Sequence, residues 1–291
     1  MKRIIGLLLT ALLIVSCSSL KDAEAEYEAE EKIVNIKTAT HEIPATVCIP
    51  KTDKEVPFVI MLHGTGSNRD EAGGGYKVAA PILAKKFGIA TIRIDFMGNG
   101  DSKADYRDYN FTSAVADAMA AKEYMCSLEG IAKDKCGIMG WSQGGTIALL
   151  AAGRYPSEFQ SVITWAGAPD LSLLVTKENY DKADKDGYFV MEFGWRSSLN
   201  VGKEWCDNVR NTDVLREFSS YQGPVLAIAG KQDTTVDPEW SNKIVRANRN
   251  RKSQVYFIAG MDHTFNVFAE SDYATLTKAV YKTGEFFKST L

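Results

Sequence analysis

The sequence has little of what several large classes of protein need. Its 34 lysines and arginines face 37 acidic residues, which gives a formal net charge of -3. It therefore lacks the basic surplus with which proteins neutralise a phosphate backbone, and nucleic acid is not an expected partner. No internal repeat or low-complexity tract divides the chain. Its 291 residues, 45% of them hydrophobic, are enough for one large core.

Clusters of metal-binding side chains are also missing. Only three histidines occur, and the five cysteines show no C-x-x-C spacing, so the sequence predicts no metal site. Four of the cysteines lie in the main part of the chain, and they are either free thiols or, in an oxidising compartment, include a Cys126–Cys136 bridge across a short loop. These four are Cys48, Cys126, Cys136 and Cys206.

A long apolar run occurs at the N-terminus, where residues 4–15 follow the basic start Met1-Lys2-Arg3. Twelve residues are too few to span a bilayer and suit the core of a signal peptide. Residues 14–17, Ile-Val-Ser-Cys, resemble a bacterial lipobox, in which the signal is cut before a cysteine that is then lipidated. We predict a signal peptide over residues 1–16 and a lipid anchor on Cys17 that holds the protein to a bacterial membrane outside the cytoplasm. The alternative is an ordinary secretory signal with a chance cysteine.

An acidic stretch follows this leader. Residues 21–32 carry six acidic side chains and two lysines and show no apolar periodicity. This composition is typical of a solvated tether, which we predict over residues 17–32. The folded domain is then predicted over residues 33–291.

From Ile33 onward, strand-like and helix-like runs alternate. This alternation predicts an α/β fold, a mostly parallel sheet with helices on both faces. The predicted strands cover residues 33–36, 45–49, 57–62, 89–96, 136–139, 161–165, 224–229 and 254–258, and the predicted helices cover residues 77–87, 111–128, 146–153, 238–248 and 272–288.

One long interval between Trp165 and Pro224 interrupts the alternation and is rich in aromatic residues. A connection of that length inside a compact domain is usually functional, so we predict a cap insertion over about residues 168–222. Aromatic faces stack well on planar groups, and Phe189 and Trp195 are the candidates to bind the acyl part of a substrate. The alternative is a helical decoration whose aromatics only form its own core.

The pentapeptide Gly140-Trp141-Ser142-Gln143-Gly144 lies between an apolar strand and a helix-like run. This is the G-x-S-x-G pattern of a nucleophile elbow, a sharp strand-to-helix turn that exposes the serine hydroxyl. Side chains at the two flanking positions would collide in such a turn, which explains the glycines. The pattern predicts Ser142 as a nucleophile.

A serine hydroxyl needs a base, and the base needs a carboxylate that orients it. His263 follows the last predicted strand, where a loop at the carboxyl edge of the sheet reaches the elbow, so it is the predicted base. Asp233 follows the strand before it and is the predicted acid, with Asp170 as a minor rival.

An oxyanion formed at Ser142 needs two backbone N–H donors. We predict those of Gln143 and of Thr65, which lies in the glycine-rich turn after the third strand.

These segments together resemble a known family. The chain from about Pro44 to its C-terminus resembles bacterial α/β-hydrolases, in which nucleophile, acid and base occur in the order of Ser142, Asp233 and His263. Within that superfamily it resembles the cinnamoyl and feruloyl esterases, with Trp141 and Thr65 departing from residues common in that group. The carrying segments are residues 63–66, 95–102, 140–145, 230–233 and 260–263.

The resemblance implies a serine esterase that cleaves a carboxylic ester through an acyl-enzyme, without a cofactor. The expected substrate is a small-molecule or polysaccharide-linked ester. A peptidase, thioesterase or acyltransferase would use the same residues, and a non-catalytic binding lipoprotein is the alternative from another class. No member of the predicted triad and no elbow glycine is missing, which favours an enzyme.

Overall fold

The computed structural model describes residues 26–291. The predicted signal peptide, Cys17 and most of the predicted tether lie outside the described residues. The strands within the described range are β1 (Ala29–Lys37), β2 (Glu42–Pro50), β3 (Val56–Leu62), β4 (Ala90–Ile94), β5 (Ile131–Trp141), β6 (Ser161–Trp165), β7 (Tyr188–Met191), β8 (Leu199–Gly202), β9 (Val225–Gly230) and β10 (Gln254–Ile258). The helices there are α1 (Gly75–Phe87), α2 (Phe111–Ser127), α3 (Gln143–Arg154), α4 (Lys177–Asp186), α5 (Lys203–Asn211), α6 (Val214–Phe218), α7 (Glu239–Ala247) and α8 (Ala274–Thr290).

Residues 26–291 contain one eight-stranded sheet in the order β1-β2-β4-β3-β5-β6-β9-β10. Strand β2 is antiparallel to both of its neighbours, and the remaining pairs are parallel. Side chains of the central strand β3 alternate between two apolar clusters. Phe58 and Ile60 pack with α2 and α3, whereas Val59 and Met61 pack with α1 and α8. Burial on both faces explains the unbroken apolar run of this strand and confirms the predicted α/β fold.

The sheet begins earlier than predicted, because β1 starts at Ala29 and not at Ile33. Four residues predicted as tether, 29–32, are therefore part of the sheet. They escaped the sequence analysis because β1 is an edge strand, and charged side chains are common on such strands. Glu31 of this strand accepts a hydrogen bond from the Arg93 guanidinium at 2.7 Å.

The predicted cap interval, residues 168–222, contains α4, β7, β8, α5 and α6, with β7 and β8 paired antiparallel. Phe189 and Trp205 are buried within it. The cap is attached to the main domain at α2, where the Phe111 N–H donates to Asn208 Oδ1 at 2.8 Å. We keep the name cap for these residues.

Ser142, Asp233 and His263 follow β5, β9 and β10 at the carboxyl ends of parallel strands. Those ends meet at one edge of the sheet, so the chain brings these distant residues to a common surface. The loop after β3, residues 63–71, reaches the same edge. Among residues 26–291, no helix combines the length and the apolarity needed to cross a membrane.

Candidate active site

Ser142 occupies the sharp turn between β5 and α3 and has a left-handed φ of 53° with ψ of -120°. A Cβ atom added to Gly140 would overlap the Gly144 carbonyl, and one added to Gly144 would overlap the Leu62 carbonyl. Only glycine fits at these positions, which explains the spacing seen in the sequence. Ser142 is half-buried, so part of this residue remains exposed.

Asp233 and His263 are brought together by their loops. His263 Nδ1 lies 2.8 Å from Asp233 Oδ2, and the Asp233 side chain is fully buried. An ionised carboxylate only accepts hydrogen bonds, so Nδ1 carries the proton and Nε2 remains an acceptor. The second oxygen, Asp233 Oδ1, accepts the N–H groups of Thr235 and Val236 at 2.8 and 2.9 Å. The imidazole is therefore held in the tautomer that a general base requires.

Trp141 attaches the loop of His263 to the elbow. Its indole N–H donates to the His263 carbonyl oxygen at 3.0 Å, and the Phe265 ring packs against it at 4.6 Å. Because Trp141 directly precedes Ser142, this contact places the histidine loop beside the nucleophile. The tryptophan that departs from the esterase pattern thus has a structural role here.

Thr65 and Gln143, the two predicted oxyanion donors, are in direct contact. The Thr65 hydroxyl donates to Gln143 Oε1 at 2.6 Å, and Gln143 Nε2 donates to the buried Tyr109 hydroxyl at 2.6 Å. Within residues 26–291, the backbone N–H groups of Thr65 and Gln143 have no acceptor. Both amides are therefore available to a developing negative charge.

The loop after β3, residues 63–71, is called the oxyanion loop from here on. It is fixed by two buried side chains whose roles the sequence analysis did not predict. His63 Nδ1 lies 2.8 Å from the Gly64 carbonyl oxygen, and the Phe96 N–H donates to His63 Nε2 at 3.2 Å. Burial lowers the pKa of His63 to about 4, so this imidazole is neutral near pH 7. On the other side, the Gly64 N–H donates to Glu71 Oε2 at 2.5 Å.

The cap reaches the oxyanion loop through Phe193 and Arg196. A Cβ atom on Gly66 would lie 3.0 Å from the Phe193 ring, and the Arg196 guanidinium donates to the Gly66 carbonyl. Phe189, by contrast, is only 1% exposed and fills the interior of the cap, where a ligand has no access. Trp195 is 65% exposed and packs edge-on against Phe193 at 5.4 Å. The cap aromatic that touches the oxyanion loop is thus Phe193, which the sequence analysis did not single out.

A cavity of about 410 Å³ lies between the cap and the main domain. Ser142, Asp233 and His263 are not among its lining residues, and its nearest link to the elbow along the chain is Pro169, which follows Ala168, whose N–H donates to the Ser142 carbonyl at 3.1 Å. Phe189 and Trp195 are not among its lining residues. The lining comprises Phe111, Pro169, Asp170, Leu171, Ser172, Val209, Arg210, Thr212, Asp213, Val214, Leu215 and Trp240.

Cys48, Cys126, Cys136 and Cys206 are all free thiols, so the second of the two cysteine alternatives, a Cys126–Cys136 bridge, is not formed. Among residues 26–291, no group of three or more His, Cys, Asp and Glu side chains is arranged to hold a metal ion.

The sequence profile of the Prolyl oligopeptidase family matches residues 76–288. The chain is 35% identical over 193 residues to serine hydrolase BPHL of Homo sapiens, covering 61% of this chain and 64% of that protein. It is 32% identical over 154 residues to 2,6-dihydropseudooxynicotine hydrolase of Paenarthrobacter nicotinovorans, covering 49% and 38%. It is 25% identical over 218 residues to dipeptidyl aminopeptidase BIII of Pseudoxanthomonas mexicana, covering 72% and 30%. The chain thus spans less than two thirds of each of these relatives.

Similar solved structures support the fold. Est1E from Butyrivibrio proteoclasticus, solved with ferulic acid bound, superposes with a TM-score of 0.70 at 20% identity, covering 88% of this chain and 98% of that one. At this identity the likeness concerns the fold alone. From the family match, the chain belongs to the Prolyl oligopeptidase family, and it has the predicted α/β-hydrolase fold.

Proposed function

We propose that this protein is a serine carboxylic ester hydrolase that works through an acyl-enzyme outside the cytoplasm. The observation that carries the proposal is the hydrogen bond of 2.8 Å between Asp233 and His263, in a loop that Trp141 holds against the elbow of Ser142. Acyl transfer requires a nucleophile, a general base in the correct tautomer and donors for the oxyanion. Ser142, His263 and the backbone N–H groups of Thr65 and Gln143 are the candidates for these roles.

In the proposed mechanism, Ser142 Oγ attacks the ester carbonyl carbon while His263 Nε2 takes the hydroxyl proton. The carbonyl oxygen becomes an oxyanion and accepts the N–H groups of Thr65 and Gln143. Collapse of the tetrahedral intermediate breaks the bond to the alcohol, which leaves with the proton from His263. Water then attacks the acyl-enzyme with His263 again as base, and the acid and free Ser142 are released. Asp233 stays ionised and stabilises the imidazolium throughout.

The proposed substrates carry an aromatic acyl group of the hydroxycinnamate type, on a small alcohol or on a polysaccharide. One aromatic side chain beside the site supports this, because the Phe193 ring lies against Gly66 of the oxyanion loop. Planar acyl groups stack favourably on such rings. The fold shared with a structure that holds ferulic acid is consistent with this substrate class.

Peptide hydrolysis is the second candidate, and the family match favours it. The profile is that of the Prolyl oligopeptidase family, and one relative is named a dipeptidyl aminopeptidase. The same nucleophile, base and oxyanion donors would cleave an amide, with the leaving amine taking the proton from His263.

Labelling with a fluorophosphonate followed by a substrate panel tests both candidates. The wild type is expected to be labelled at Ser142, and Ser142→Ala is expected to lose both labelling and turnover. The panel contains methyl ferulate, a butyrate ester and dipeptidyl anilides, and we expect the highest kcat/KM for methyl ferulate. Undiminished hydrolysis by Ser142→Ala would refute the nucleophile, and a preference for the anilides would favour the peptidase.

A further inference from the structure

The last residue of the oxyanion loop, Glu71, carries a buried carboxylate that has no role in the mechanism above. Glu71 is 8% exposed, and its Oε2 accepts the Gly64 N–H at 2.5 Å while Oε1 accepts the Ala72 N–H at 2.9 Å. A Cβ atom on Gly64 would lie 3.2 Å from Ser142 Cβ and 3.6 Å from Glu71 Oε2. The carboxylate and the nucleophilic residue are thus neighbours on the same side of Gly64.

The electrostatic surroundings of Glu71 also connect it to the site. Burial raises the pKa of its carboxyl, whereas hydrogen bonds from Ser67, Gly64 and Ala72 and the charge of His263 oppose that rise. Burying a carboxyl group costs free energy unless hydrogen bonds compensate for its loss of water. Here the Glu71 carboxylate accepts the N–H groups of Gly64, in the oxyanion loop, and of Ala72.

The backbone of Glu71 is strained. Its φ of 62° and ψ of -179° fall in a region that is occupied almost only by glycine. The Glu71 N–H donates to the Asn68 carbonyl at 2.9 Å and the Gly74 N–H to the Glu71 carbonyl at 3.0 Å, which hold this conformation in place. Strain of this kind persists where the surroundings fix it, and it is concentrated at functional sites.

The direction of the Thr65 N–H follows from the contacts of Gly64. The Gly64 carbonyl and the Thr65 N–H belong to one planar peptide and point in opposite directions. The carbonyl is held by His63 Nδ1 at 2.8 Å and by the Ser67 N–H at 3.2 Å. Glu71 holds the amide on the other side of Gly64. Gly64 is therefore fixed at both ends, and the Thr65 N–H is aimed away from these partners.

We propose that Glu71 is a positioning residue of this site, which fixes the Gly64 amide and thereby aims the Thr65 N–H at the oxyanion. The inference rests on the proposed function, because it requires an oxyanion to form at Ser142. A donor aimed at the oxyanion stabilises the transition state more than the bound ester. Loss of Glu71 should therefore lower kcat and leave KM nearly unchanged.

Glu71→Gln provides the test, because it keeps the size of the side chain but replaces one accepting oxygen with an amino group. We expect kcat for the best ester to fall on the order of 10–100-fold, with KM within about threefold of wild type. The affinity for an aryl trifluoromethyl ketone, which imitates the tetrahedral intermediate, should fall by the same factor as kcat.

Asp117→Asn is the matched control. Asp117 is also a buried acid, 2% exposed, but it lies on α2 and pairs with His41 at 3.2 Å. This variant should lower the melting temperature and leave kcat unchanged. If Glu71→Gln does not fold, Glu71→Asp replaces it, since the shorter side chain keeps the charge and withdraws it from Gly64; the same loss of kcat is expected.

Three outcomes separate this inference from the function on which it rests. Wild-type protein that is labelled on Ser142, together with a folded Glu71→Gln or Glu71→Asp variant of unchanged kcat, overturns the inference alone. Equal losses of kcat and of ground-state affinity, with the ketone affinity unaffected, also overturn it. A wild-type chain that is not labelled overturns the proposed function, and the inference with it.

Discussion

At the residue scale, the two oxygen atoms of Asp233 have separate partners, which makes a sharp substitution possible. In the wild type, the N–H groups of Thr235 and Val236 lie 2.8 and 2.9 Å from Asp233 Oδ1. In Asp233→Asn, the amide oxygen can still accept both of these N–H groups. The amino group would then face His263 Nδ1, where two donors cannot pair, and the imidazole would be driven into the wrong tautomer. We expect a folded protein with a rate lowered on the order of 10⁴-fold, measured as kcat on the best ester.

Asp170→Asn is the comparison for that variant. Asp170 is exposed and accepts the N–H of Ser172 in its own loop, so it makes no contact with the histidine. Its substitution should leave the rate within a few-fold of wild type. A large loss in Asp170→Asn with little loss in Asp233→Asn would mean that the acid has been misassigned.

His63 should make stability depend on pH with a definite sign. Burial lowers its pKa to about 4, from an ordinary value of 6.5. Between these two pH values the unfolded chain binds a proton on His63 that the folded chain does not bind. The free energy of unfolding therefore has its full value above pH 6.5. It falls as the pH drops toward 4, by about 3 kcal/mol in total. Urea unfolding of wild type and of His63→Asn at pH 7, 6 and 5 measures this, and the variant should show the shallower loss.

His41→Asn is the control of opposite sign. The Asp117 carboxylate, 3.2 Å from His41 Nε2, raises the pKa of His41, so the stability that His41 contributes is present at low pH and is lost as the pH rises. Removing His41 should not flatten the acid side of the profile. An acid slope that is equally steep with and without His63 would contradict the prediction.

The placement of Ser142, Asp233 and His263 at one edge of the sheet could be predicted from the sequence because each follows a recognisable strand in a fixed order. Glu71 could not, because a glutamate near the start of a helix normally caps it in solvent, and burial beneath a loop leaves no mark in the local pattern. The available signal was the run Gly73-Gly74-Gly75 after it. Glycines so clustered indicate an unusual backbone path but do not say which side chain that path turns inward.

At the element scale, the local sequence pattern likewise does not define the edge strand and the cap. The strands β3, β6 and β9 and the second half of β5 were predictable because they are buried and form largely apolar runs. Strand β1 was placed too late, because its exposed faces accept charges such as Glu31. Strands β7 and β8 of the cap have four residues each, too few to establish a period-two pattern. Which cap aromatic meets the site depends on this small sheet, and the sequence did not define it.

The contact between the cap and the oxyanion loop leads to a prediction on specificity. Phe193 lies against Gly66, next to Thr65, so its ring is placed to meet the acyl group of a substrate. In Phe193→Ala we expect kcat/KM for methyl ferulate to fall by roughly tenfold or more, because an aromatic contact of about 1.5 kcal/mol is lost. The value for a butyrate ester should change much less.

Trp195→Ala is the matched cap variant. Trp195 packs on Phe193 but is 65% exposed, and it stays a predicted acyl-binding residue. A loss for methyl ferulate in Trp195→Ala equal to that in Phe193→Ala would assign the acyl contact to both rings. Wild-type preference for the butyrate, unchanged in both variants, would mean that the aromatics serve only the packing of the cap.

At the scale of the whole molecule, the sheet topology sets the position of the candidate active site relative to the start of the first strand. Strand β1 is antiparallel to β2, which is antiparallel to β4, so β1 runs in the same direction as the parallel strands. Its first residue, Ala29, is therefore at the amino edge of the sheet. Ser142, Asp233 and His263 lie at the carboxyl edge. Residues 26–28, which precede it, thus enter the sheet on the side away from the site.

This direction suits the proposed lipid anchor on Cys17, since a domain held by its amino edge would present its site away from the bilayer. We expect wild-type protein in the membrane fraction of a bacterial host, with mass analysis showing a lipid-modified Cys17 as first residue. Cys17→Ala should be found in the soluble fraction with kcat/KM for a soluble ester unchanged, because the anchor is remote from the site. Wild-type protein that is soluble and cut at another residue would contradict the anchor. A released variant with altered kcat/KM would contradict the separation of anchor and site.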